Sequence, residues 1–187
     1  MASPHHVPDM EPLDRLTAAL YRSGLSLFAA VTLLKAAELL SGAVILGAWH
    51  LPLLAAAAAT ASANIHLYDP RFRWLFPLMS WIGCVLLGFA LTAQAAAVKE
   101  AVALLSIAFF YAGASMFAVK EYFCFRIPGL PLMPVLLASA ALLRWGGMER
   151  SEGVFLAAAG LLYAWLAVAK WRMPLHFDIG DKSAYKF

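Results

Sequence analysis

The chain is 187 residues long, with 63% hydrophobic and only 13% charged residues, a mean hydropathy of +0.76 and a formal net charge of +3. Soluble domains run at roughly 45–50% apolar and about 25% charged. A small water-soluble fold leaves too much surface in water to hide this composition, so a soluble globule is excluded and an integral membrane protein is expected.

The opening stretch carries Asp9, Glu11 and Asp14 beside Pro4, Pro8 and Pro12. That pattern fits neither a basic, apolar signal peptide nor an acid-poor transit peptide. It reads as a cytosolic tail over 1–23, in which His5 and His6 are a pair too small to complete a metal site. The membrane part follows over 24–171. Crossing roughly 30 Å of hydrocarbon takes about 20 mostly apolar residues, and six segments qualify: 25–48, 51–68, 75–94, 101–119, 130–145 and 153–169. Continuous apolar runs rich in Ala and Leu make these helices rather than strands. The breaks carry turn formers: His50-Leu51-Pro52, Asp69-Pro70-Arg71, Val98-Lys99-Glu100, Arg126-Ile127-Pro128-Gly129 and Gly146-Gly147. The fifth segment is short and opens on Pro131 and Pro134, which suit a first helical turn. A second tail spans 172–187. The fold class is therefore all-α: a polytopic membrane protein of six transmembrane helices.

Basic residues in loops set orientation. With the amino terminus inside, one side receives Arg15, Arg22, Arg71, Arg73, Lys120, Arg126, Lys170, Arg172, Lys182 and Lys186. The other side receives Lys99, Arg144 and Arg150, and Lys35 stays within a span. Ten against three places both termini in the cytosol, with the cell inner (plasma) membrane as the expected location.

Three polar clusters follow every second span and so share that cytosolic face: Asn64 to Asp69, Lys120 to Phe125, and Asp178 to Ser183. His66 is a candidate ligand or proton carrier at the interface, or with Tyr68 and Asp69 simply marks the end of a helix. Lys120 and Glu121 fall within a helical turn of Cys124, and a nearby ammonium favours a thiolate. The alternative is a lysine snorkelling to the interface beside its glutamate and aromatic anchors. Asp178 and Asp181 can bind a hard cation or pair with Lys120 and Arg126, and the tail with Lys182 is expected to fold back under the bundle. A metal site would require His66, Glu121 and Cys124 to converge. Lys35 and Glu38, three residues apart on one helical face, are either a mutual pair or the lining of a polar path. No internal disulfide is expected between Cys84 in mid-span and Cys124 at a span end. Phosphate loops, zinc-protease and nucleophile-elbow motifs are absent from the sequence, as is a basic aromatic patch for nucleic acid.

The run Ile65-His66-Leu67-Tyr68, the run Lys120-Glu121-Tyr122-Phe123-Cys124-Phe125 and the terminal Asp178-Ile179-Gly180-Asp181-Lys182-Ser183 together resemble the integral membrane family called domain of unknown function 2301. The resemblance extends from about Tyr21 to Phe187, departs from the family pattern at Tyr122, and carries no established activity or cofactor. Family members are common in photosynthetic lineages, which implies membrane-complex assembly and a thylakoid-type membrane as further readings. The sequence thus leans away from an enzyme. It favours a protein that assembles, binds or stabilises another membrane component through His66, Tyr68, Asp69, Lys120, Glu121, Cys124, Asp178, Asp181 and Lys182. The rivals are a small-solute or ion transporter or channel using Lys35 and Glu38, and a membrane-embedded metal protein or enzyme.

Overall fold

The computed structural model describes residues 9–184, the side chains of 124, 125 and 184 excepted. Among the described residues the chain is entirely helical, without strands. Seven α-helices follow in order: α1 Pro12–Ser41, α2 His50–Ala63, α3 Pro70–Thr92, α4 Ala96–Phe125, α5 Met133–Trp145, α6 Glu149–Trp171 and the single-turn α7 His176–Ile179.

Local chemistry sets the boundaries. Pro12 starts α1, and Glu11 and Asp14 form a reciprocal capping box that satisfies exposed amides of the first turn. The helix therefore begins at Pro12, well before the apolar run that marks the predicted first span. Its last residues are followed by Gly42 in the left-handed conformation, φ 76°. As a result Lys35 and Glu38 lie in the closing turns of α1 and not at mid-span. The helix α2 stops at Ala63, where Asn64 turns its side chain back to donate to Thr60 O at 2.8 Å. Residues 65–68 consequently lead out of the helix instead of ending the second span. Asp69 then caps α3, accepting from Arg71 N at 2.8 Å, with Pro70 at the first helical position. Pro131 and Pro134 fall in the 3-10 turn Leu130–Leu132 and the opening turn of α5.

Among the described residues four helices are long and apolar enough to cross a membrane: α1, α3, α4 over Ala96–Phe123, and α6. The helices at the predicted second and fifth crossings have 14 and 13 residues, roughly 20 Å each against about 30 Å of hydrocarbon. Close backbone approach holds the bundle together. A side chain at Gly24 on α1 would come within 2.6 Å of the α2 backbone at Ala61, and one at Gly160 on α6 within 2.7 Å of Leu33 on α1. Such small-residue contacts replace the hydrophobic drive that lipid removes. Between these helices lies a core of Phe28, Phe110, Phe117, Leu137, Leu156 and Tyr163. An apolar groove of about 1110 Å³ runs between α4 and α5. Outward-facing Trp74, Leu78, Val85, Phe89, Leu161 and Trp165 are exposed, as a lipid-facing surface requires.

Candidate functional site

The packing brings the start of α1, the α2–α3 connection, the end of α4, the end of α6 and the tail together at one end of the bundle. Two carboxylates organise the site there. Glu121 is fully buried, and its Oε1 accepts from Tyr21 OH at 2.7 Å and from Lys120 Nζ at 2.8 Å. Its Oε2 accepts from Lys170 Nζ at 2.9 Å. Lys170, itself buried, also forms an ion pair with Asp178 Oδ1 and so bridges the two acids. The other oxygen of Asp178 accepts from Arg22 Nε at 2.5 Å. Arg22 spends its remaining nitrogens on the outgoing chain, donating to Met173 O at 2.7 Å and Pro174 O at 2.9 Å.

The knot therefore places three cations, Arg22, Lys120 and Lys170, around two carboxylates. The Tyr21 ring sits 4.9 Å from Lys120 Nζ and 5.0 Å from Lys170 Nζ, so its face attracts both ammonium groups. Charges this deep survive only when paired and hydrogen-bonded, and here each carboxylate oxygen has a cationic partner.

A less buried rim surrounds the knot. His66 Nε2 and Thr17 Oγ1 are hydrogen-bonded at 3.0 Å. Burial and the nearby Lys120 charge hold the His66 imidazole below its usual pKa, against smaller opposing effects from Asp178 and Asp14. The hydroxyl of Tyr68 accepts from Asp181 N at 2.8 Å. Asp181 Oδ1 in turn accepts from both the backbone N and the hydroxyl of Ser183, at 2.9 and 2.7 Å. Lys182 pairs with Asp14 at 2.6 Å, and that carboxylate raises the lysine pKa.

Of the residues singled out in the sequence, His66, Tyr68, Lys120, Glu121, Asp178, Asp181 and Lys182 all reach this end. Asp69 serves as the α3 cap. The Cys124 side chain lies outside the described residues, so its relation to Lys120 and Glu121 stays a sequence expectation. His66 and Glu121 meet different partners, and among the described residues no three His, Cys, Asp or Glu side chains group as a metal site. Asp178 pairs with Arg22 and Lys170, in place of the expected Lys120 and Arg126. Sequence reasoning missed Tyr21 and Arg22 by assigning them to a tail, although Pro12 and the capping box already signal a helix through them.

Lys35 and Glu38 pair at 2.6 Å at the opposite end of α1. The Glu38 Oε2 also accepts the backbone N–H groups of Ile45, Leu46 and Gly47, at 3.0, 2.6 and 3.1 Å. This pair staples the α1–α2 connection.

The sequence profile of the uncharacterized integral membrane protein family DUF2301 matches residues 60–187. The chain belongs to this family. The matched region contains the α2–α3 connection, the end of α4 and the tail, and so most of the polar knot, while Tyr21 and Arg22 lie outside it. An uncharacterized protein of Haemophilus influenzae is 35% identical over 194 residues, spanning the whole chain and 99% of its own length. No solved structure matches the chain. As a DUF2301 integral membrane protein it contacts the lipid bilayer through its apolar helices.

Proposed function

We propose that this DUF2301 protein is a non-enzymatic, six-crossing protein of the inner (plasma) membrane that assembles, binds or stabilises another membrane component through its tail end. The observation that carries this reading is the convergence of three distant polar segments on a single end of the bundle. The buried knot fixes the shape of that end, and the partner-facing elements are the exposed side chains around it. Arg15, Arg71, Arg126 and Arg172 form an exposed basic rim. A partner with an acidic surface, or one bound together with anionic headgroups, fits that rim. The basic rim also supports a cytosolic orientation for this end and for both termini, with α2 and α5 completing six crossings as short helices shielded by their neighbours.

The test pairs topology with partner capture. Thiol labelling of intact cells carrying Ser183→Cys or Gly147→Cys should modify only Gly147→Cys from outside. In mild detergent, a membrane partner cross-linked to the wild-type chain should be lost with Arg71→Glu plus Arg172→Glu. Outside labelling of Ser183→Cys, or a chain that purifies alone in both forms, overturns the reading.

A further inference from the structure

The end of the bundle away from the tail gathers ionisable side chains from four helices, with Tyr111 of α4 deeper in the bundle. Lys35 and Glu38 come from α1, His50 from the head of α2, Arg144 from the end of α5 and Glu152 from the first turns of α6. Arg144 and Lys35 act electrostatically on Glu152, and the same two cations act on His50. Tyr111 feels both Glu152 and Arg144. Glu149, on the same helix as Glu152, acts in the opposite sense.

Glu152 is 0% exposed. Its Oε1 lies 3.4 Å from Arg144 Nη1, long for a charge-assisted bond, which usually measures about 2.7–2.9 Å. Its Oε2 has no hydrogen-bond partner, and neither does the buried Nε of Arg144. Glu38, close by, shows the contrast: its two oxygens take an ammonium and three backbone N–H groups. A buried carboxylate with one long contact is far more costly than the neutral acid.

We propose that Glu152 is a proton-binding site, loaded from the aqueous phase at the α5–α6 turn. Gly146, Gly147, Met148 and Glu149 at that turn are exposed, so the path from water is less than two helical turns. A proton from water binds Oε2 and converts the carboxylate to the neutral acid; no other bond forms or breaks. Arg144 then loses its counter-charge, so proton uptake loosens the contact between α5 and α6. This places an acid-sensing element at the end opposite the tail. It goes beyond the assembly reading and does not depend on it.

The test is infrared difference spectroscopy of the full chain in lipid vesicles, titrated from mildly alkaline to mildly acidic pH. The signal is the C=O stretch of a protonated carboxyl, identified by its shift in deuterated water. The expected result is a band that appears on acidification, is lost in Glu152→Gln and is kept in Glu149→Gln and His50→Gln. Arg144→Gln should raise the midpoint of that band by about one pH unit, because a cation favouring the carboxylate is gone. A band absent from the wild type, or one that survives Glu152→Gln, overturns the proposal and leaves Glu152 an ionised partner of Arg144 satisfied by water. Should Glu152→Gln fail to fold, an unmoved midpoint in Arg144→Gln overturns it equally.

Discussion

The two polar ends of the bundle solve the same problem in different ways. At the tail end, Glu121 and Asp178 add distant partners to their local ones, Lys120 and Lys170: Tyr21 is 100 positions and Lys170 is 49 from Glu121, and Arg22 is 156 from Asp178. At the other end the pairs are local, three residues apart for Lys35 and Glu38 and eight for Arg144 and Glu152, and buried polar atoms are left over. A local pair forms with its hairpin. A knot drawn from α1, α4, α6 and α7 forms only when those four helices have come together. The difference teaches that the tail end ties together elements distant in sequence, whereas the opposite end is held by local pairs.

The sharpest way to break this contrast is Lys170→Met. Lys170 touches both buried acids of the tail end, and Met keeps its apolar length while removing the charge. Losing one partner of a buried ion pair costs about 3–5 kcal/mol, because the other charge stays buried without compensation. We expect a large fall in thermal stability in detergent, together with early proteolysis after Met173 as the tail comes away from Arg22. An unaltered melting temperature with an intact tail would show that the knot does not hold this end.

Glu38→Gln probes the opposite end and should cost less. The substitution keeps the shape and one acceptor oxygen but removes the charge that draws Lys35 and three backbone amides. Hydrogen bonds to charged groups contribute about 1.5–3 kcal/mol, and Glu38 is slightly exposed, which places the loss toward the lower part of that range. Thermal unfolding should show a smaller decrease than Lys170→Met, with the tail still protected from protease. A loss as large as that of Lys170→Met would erase the distinction between the two ends.

Much of this arrangement is legible in the sequence. The apolar runs and their Pro and Gly breaks locate the elements, and the spacing of Lys35 and Glu38 allows the pairing seen in the structure, one of the two readings it left open. The alternation of polar clusters with pairs of apolar runs anticipates their meeting at one end. The opaque part is the identity of the partners. Lys170 and Arg22 look like cytosolic markers at span ends, because position in a basic-inside pattern does not distinguish a buried counter-ion from a surface charge. Glu121 sits one residue from Lys120 and three from Cys124, and no local pattern points to Tyr21 or Lys170 from other helices. Helix length is the other blind spot. A hydropathy window finds apolar residues, whereas α1 starts at a capping box thirteen positions before its apolar run, and α2 stops where Asn64 folds back on Thr60.

The smallest expected effect sharpens the contrast from the rim of the tail end. Burial and Lys120 hold the His66 imidazole below its usual pKa in the folded chain, whereas the unfolded chain protonates it near about 6.5. Above that pH the imidazole is neutral in both states, and the full stability is present. As the pH falls below it, the unfolded state takes up a proton first, and stability declines until the folded pKa is reached. His66→Gln, which can still hydrogen-bond Thr17, should therefore flatten this part of the stability curve while leaving the neutral-pH value little changed. The measurement is thermal unfolding in detergent between about pH 8 and about pH 5, the range over which histidine alone of the ordinary side chains titrates. A wild-type slope that persists unchanged in His66→Gln would assign the acid sensitivity to another group and leave the rim of the tail end as fixed as the knot beneath it.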